Sequence, residues 1–280
     1  MCGARNQEIA LFSNAVNLLV SAATNDGQFH GPTIDEFFPK GFLFQGTPFE
    51  INRVMMVRII MTIVLLVLMW IGTRALKLVP GRFQSVVEMG LDFVRVGIAE
   101  DLLGKKDGRR FFPLIASIFF FVLFMNIAGI IPALNIAGSS VIGVPAVLAV
   151  IVWFTFIYAG VRKSPAKFFK NALFPAGVPW PVYIIVTPIE FVSTFVIRPL
   201  TLTLRLLMNM IVGHLLLALF FLATTFFFIE APVALKALGV GTLAFGFVFT
   251  LFEVLVALLQ AYIFAVLTGV YIQLAIADEH

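Results

Sequence analysis

Fifty consecutive residues, Phe111 to Gly160, contain no acidic or basic side chain. About 20 apolar residues already span the hydrocarbon core of a bilayer, so a chain carrying such a run has to fold in lipid. Several further apolar runs follow. The composition agrees: 61% of the 280 residues are hydrophobic and 12% are charged, against about 25% charged in an average soluble domain. The alternating pattern of a membrane β-barrel is absent, so the spans are read as helices.

The uncharged run is too long for one span. Pro, Asn, Gly and Ser punctuate it between Pro132 and Gly143, so it reads as a hairpin of two spans over 111–161. A first span is predicted at 54–73, with Arg58 near its start, where it can snorkel to the headgroups. Between them, Phe83, Val86, Val87, Leu91, Val94, Ile98 and Leu102 repeat at helical spacing, while Glu88, Asp92 and Arg95 fall on the other side. That pattern predicts an amphipathic helix over 82–103 lying on the membrane surface. After the hairpin come Pro175, Gly177, Pro179 and Pro181, a rigid connector.

Two long apolar segments follow, 181–228 and 240–276. As one helix, the first would measure roughly 72 Å at 1.5 Å per residue, far beyond the ~30 Å core. It has to tilt, bend or break, and Pro188 and Pro199 offer bends. Residues 1–52 contain no full span, and 9–23 reads as a surface segment in preference to a signal peptide.

Lys and Arg counts set the expected orientation. The segments 74–110 and 162–170 hold twelve, against four (Arg5, Lys40, Arg53 and Lys236) on the opposite side. The first two therefore face the cytoplasm, and five spans put the N-terminal segment 1–52 outside and Asp278, Glu279 and His280 inside. This distribution also accounts for the basic balance without a nucleic-acid partner. One Cys, Cys2, excludes an internal disulfide or a multi-cysteine metal site. No metal and no cofactor are expected, and His214 alone lies within a span, which argues against a haem held by two His.

Within 181–228 the acidic and basic side chains are Glu190, Arg198, Arg205 and His214. A cation at membrane depth is costly and marks function by default. Arg does not usefully release its proton, so Arg205 suits a device that governs the proton of another group. Asn209 lies four residues on, along the same face, and Arg198 lies seven residues before. His214 is turned away by about half a revolution. On the last helix Glu253 and Gln260 are seven apart and share a face, while Tyr262 and Tyr271 read as packing or interface residues. Each has a plainer reading: Arg198 as an interface anchor, the favoured one, Glu190 as its ion partner, His214 and Asn209 as interhelical hydrogen-bond partners. Arg205 and Glu253 have the weakest such reading.

Residues 198–210, RPLTLTLRLLMNM, match the pattern R-P-L-[ST]-L-x-x-R-L-x-x-N-M, and Glu253 stands seven residues before Gln260-Ala261-Tyr262-Ile263-Phe264. Asn126, Gly129, Ile131 and Pro132 add a weaker N-x-x-G-x-I-P match. In these motifs the chain resembles the subunit a family of the F-type rotary ATP synthases, bacterial type, over roughly 54–280. The resemblance implies an all-α polytopic membrane protein whose two long tilted helices face a ring of c subunits. It implies a stator with two offset half-channels that carry protons to and from the ring carboxylates. Arg205 would separate them. Asn209, His214, Glu253 and Gln260 would serve the outer half-channel and Glu190 the inner one, with Arg198 secondary. Partners would be the c ring, the peripheral-stalk b subunits, other synthase subunits and lipid. Nucleotide chemistry would belong to other subunits, so the chain would not be an enzyme alone.

The chain departs from that pattern in three places. Leu207-Met208 stand where the family usually has Phe-Gly, Glu190 lies one residue farther from Arg205 than in many members, and Ser139-Ser140 occupy the loop region where an acid is common. Sodium in place of the proton, and a proton-coupled secondary transporter, stay open as alternatives. The transporter predicts an internal repeat, which the sequence lacks.

Overall fold

The computed structural model describes residues 52–74, 81–131, 137–165, 168–169, 173 and 182–276. The expectations for the N-terminal segment, the proline-rich connector and the acidic tail lie outside these residues. Among the described residues every regular element is a helix. We name them α1 (Arg53–Arg74), α2 (Arg82–Val94), α3 (Asp101–Ile130), α4 (Gly143–Lys163), α5 (Tyr183–Val192), α6 (Arg198–Ile229) and α7 (Lys236–Ile276). Single π turns join α2 to α3 at Arg95–Glu100 and α5 to α6 at Ser193–Ile197. Five continuous helical runs are long and apolar enough to cross a membrane: Arg53–Arg74, Arg82–Ile130, Gly143–Lys163, Tyr183–Ile229 and Lys236–Ile276. The expected fold class, all-α with about five such helices, is the observed one.

The described residues divide into two compact units, one containing 213–252 and the other those of 52–212 with 253–276. In the larger unit, α1 buries Val54, Val57, Met61 and Leu65, a stripe at three- and four-residue spacing. Val57 and Met61 pack with Met125 and Ala128 of α3. Arg58 departs from the expected snorkelling. Its Nε donates to Gly138 O at 2.7 Å and its Nη2 to Val141 O at 3.2 Å, in the loop between α3 and α4. Carbonyls just outside a helix lack intrahelical partners, and a guanidinium with five donors satisfies two of them.

The apolar stripe of α2 splits between two neighbours. Val94 and Ile98 are fully buried in the core, but Phe83 and Val86 are exposed. Gln84 is buried instead, with its amide donating to Glu88 Oε1 at 2.6 Å. A helix lying against both protein and lipid needs apolar side chains on both, so sequence periodicity alone does not separate them. After the π turn the chain bends at Gly104, where φ is 74° and ψ is 167°, a backbone region essentially restricted to glycine. The bend brings Gly108 against the backbone of Ala99, and a Cβ there would lie 2.7 Å from the Ala99 oxygen. Glu100 ties the two sides together through Arg95 at 3.0 Å and Arg109 at 3.7 Å.

The hairpin helices α3 and α4 form the centre of the core, with Ile115, Phe119, Val122, Leu148, Val152 and Phe156 packed against Leu202 and Leu206 of α6 and Ala261, Phe264 and Ala265 of α7. In the smaller unit the two arms of a helical hairpin meet through phenylalanines. Phe220 lies 6.4 Å from Phe245 and 5.8 Å from Phe249, and Phe221 lies 6.4 Å from Phe247. Thr224 Oγ1 and Thr242 Oγ1 are 2.9 Å apart across the same hairpin.

Candidate functional site

Burial on α6 decides where Arg205 points. Leu202, Leu206 and Met210, spaced by four, are all buried. Their face is taken up by the core. Arg205 stands at the edge of that face, about 60° round the helix from Leu202, and is itself exposed, on the side that carries exposed Leu200, Leu204, Met208 and Val212. Among the described residues no ion pair or hydrogen bond engages the Arg205 guanidinium; the two ion pairs both belong to Glu100. A permanent cation thus stands on an apolar outward face in the middle of a helix long enough to cross a membrane.

Asn209 lies one turn beyond Arg205, on the same face, and its Nδ2 donates to Gln260 Oε1 of α7 at 2.9 Å. The expected pairing of Arg205 with Asn209 along α6 and of Glu253 with Gln260 along α7 is therefore joined by a direct bond between the two helices. Ala257, Ala261 and Ala265 are fully buried on α7, and small side chains of this kind let helices approach closely. Glu253 is only 4% exposed, and its Oε2 is buried without a hydrogen-bond partner. His214, in the smaller unit, is 5% exposed.

Arg198 is held more firmly than a plain interface anchor. Its guanidinium sits 5.5 Å from the ring centre of Tyr271 and 6.0 Å from that of Phe156, a cation–π arrangement. Thr194, Arg198, Leu202, Trp153 and Tyr271 line one small cavity. Glu190 is half-buried on α5, and no described ion pair joins it to Arg198. Sequence reasoning gave Tyr271 and Thr194 no polar role and passed over Trp153. Nothing in their spacing marks them, because they meet only where α4, α6 and α7 pack. Ser139, noted only as standing where an acid is common, donates to Asn126 Oδ1 at 2.6 Å, with both residues buried.

A model of the family described as ATP synthase A chain matches residues 54–273. This chain belongs to the ATP synthase A chain family. Among its relatives in that family, the ATP synthase subunit a of Rhodococcus erythropolis is 46% identical over 255 residues, covering 90% of this chain and 93% of the relative. That of Pseudarthrobacter chlorophenolicus is 37% identical over 263 residues, covering 94% and 99%. That of Hyphomonas neptunium is 43% identical over 211 residues, covering 75% and 81%. Every candidate residue from Glu190 to Gln260 lies inside the matched stretch. Membership makes the chain an ion-channel subunit of a bacterial ATP synthase membrane sector, with no catalysis of its own. Among the described residues, no group of three or more His, Cys, Asp or Glu side chains is placed to hold a metal ion.

Proposed function

We propose that this chain is the proton-conducting stator of a rotary motor, with the outward face of α6 set against a ring of carboxylate-bearing subunits. The observation that carries this reading is Arg205, an unpaired permanent cation on an apolar face. A guanidinium in lipid without a counter-charge is expensive. Since no described residue supplies the counter-charge, the partner that covers Arg205 has to. A carboxylate that arrives as the ring turns is the natural one. Two unit charges 4 Å apart at an effective dielectric near 20 attract by about 4 kcal/mol, enough to discharge a proton from the arriving group.

The two half-channels follow from what Arg205 cannot do. Because it does not relay protons, a proton delivered on one side has to ride the ring to reach the other. Glu253 and Gln260 line up along α7, and the Asn209–Gln260 bond ties that line to the face of Arg205. These residues form the outer path. The partnerless oxygen of Glu253 supports this, since a buried polar oxygen is a station that a mobile proton can use. Glu190 begins the inner path. The membrane potential contributes about 2.3 kcal/mol per charge per 100 mV.

In this reading 74–110 and 162–180 face the cytoplasm, the N-terminus lies outside the plasma membrane, the coupled ion is the proton, and peripheral-stalk b subunits hold the stator still. The deciding experiment reconstitutes the whole membrane sector and measures proton flux beside ATP synthesis. Arg205→Ala is expected to abolish coupled synthesis while permitting passive leak. Coupled synthesis near the wild-type rate would refute the reading.

A further inference from the structure

The junction of α5 and α6 is a single π turn, Ser193–Ile197, in which Arg198 N–H donates to Ser193 O, five residues back. Its cause lies next door. Pro199 has no N–H, and its ring would clash with the carbonyl four residues earlier; widening the turn relieves that clash. A π turn holds one residue more than an α turn, so it changes which side chains share a face.

The consequence is measurable in phase. Glu190 and Arg198 are eight residues apart. In an unbroken α-helix, at about 100° per residue, they would differ by about 80° in direction. With one residue absorbed in the wider turn, the difference falls to about 20°. Thr194 and Leu202, on either side of Arg198, are each 2% exposed. Thr194, Arg198 and Leu202 line the same cavity, one below another at steps of four. Glu190 is the next step of four before Thr194.

We propose that the π turn Ser193–Ile197 is the register device of the inner path, bringing Glu190, Thr194 and Arg198 into one polar track that leads to Arg205. Tyr271 of α7 and Trp153 of α4 close the track from the side. The Nε1 of Trp153 is buried there without a partner, and the ring of Tyr271 lies 5.5 Å from the Arg198 guanidinium. This inference rests on the stator reading and adds to it how Glu190 is aimed. It also accounts for the extra residue between Glu190 and Arg205, which the wider turn takes up.

The test is a set of variants in the reconstituted membrane sector, with subunit assembly measured by co-purification and proton flux measured alongside. Deleting Val196, inside the π turn, together with Pro199→Ala, which removes the ring that the wider turn accommodates, restores a plain α-helix without changing the phase of Glu190 and Arg198, so flux is expected to stay within about twofold of wild type. Deleting Leu200, outside the turn, rotates Glu190 and Arg198 by about 100° relative to Arg205 and is expected to abolish flux. Glu190→Ala is expected to lower flux at least about tenfold, at or below the range of a proton-transferring side chain, and Glu190→Asp to retain most of it. Glu190→Ala with Phe191→Glu is expected not to recover, because position 191 points elsewhere in the wider turn. It would recover in an unbroken α-helix. Loss of flux in an assembled Val196 deletion, recovery by Phe191→Glu, or wild-type flux in Glu190→Ala would each overturn the proposal. If the Val196 deletion does not assemble, the relocated glutamate decides. Arg205→Ala reports separately on the stator reading, so its failure is distinguishable from failure of the register.

Discussion

At the scale of single residues, charge type matters more than charge sign. Arg205→Lys is expected to fail as Arg205→Ala does, with at least about tenfold lower synthesis, because a buried ammonium gives up its proton where a guanidinium does not. ATP synthesis in inverted vesicles checks it, and a Lys variant near wild type would contradict the role of a fixed charge. Glu253→Gln is expected to slow proton flux while leaving the assembled complex intact, since the amide keeps shape and loses the exchangeable proton. Flux is measured by dye quenching, assembly by co-purification. Both residues were legible in the sequence, because a charge inside an uncharged run is conspicuous. The Asn209–Gln260 bond was not, because the two are 51 positions apart and no local spacing relates them. A double-mutant cycle on that pair is expected to show a coupling of about 0.6 kcal/mol, typical of interhelical hydrogen bonds in membranes. A coupling of zero would mean that the bond does not contribute to stability.

At the scale of elements, the bends are what the helices are built around. Gly104 occupies a conformation that a Cβ disfavours, so Gly104→Ala is expected to cost about 1–3 kcal/mol and to lower the thermal midpoint of the purified subunit complex. An unchanged midpoint would mean that the bend survives another way. The sequence marked Pro188 and Pro199 as bends in the long segment, and the structure places a π turn between them. Proline foretells that something yields but not how. Whether the helix kinks, breaks or widens depends on which groups pack on either side. The helical period of 82–103 was legible in the sequence, whereas which of its apolar side chains are buried in the core was not, since core and lipid favour the same residues. Exposure of Phe83 and Val86 beside burial of Val94 and Ile98 is the difference that period alone cannot draw.

At the scale of the whole molecule, the distribution of Lys and Arg argues for a cytoplasmic segment around position 105. Lys105→Cys, made in a chain with Cys2 replaced, is expected to react with a membrane-impermeant thiol reagent in inverted vesicles and not in intact cells. The reverse pattern would invert the proposed topology. The larger unit is assembled around α3 and α4, and α6 and α7 turn one face of each onto that core. The orientation of Arg205 is therefore a property of the assembly. Leu202, Leu206 and Met210 go inward, and the arginine is left outward.

The sequence by itself determined the solvent, the helical class, the number of crossings and the residues worth watching. These follow from composition and period, and both are local quantities: lipid demands apolar length, and a stray charge in it demands a reason. Only the tertiary structure decided which face of α6 is free, that Asn209 and Gln260 meet, that Arg198 rests on Phe156 and Tyr271, and that the helix widens into a π turn just ahead of Arg198. Those facts depend on distances between segments far apart in the chain and on one extra residue in one turn, and packing sets both.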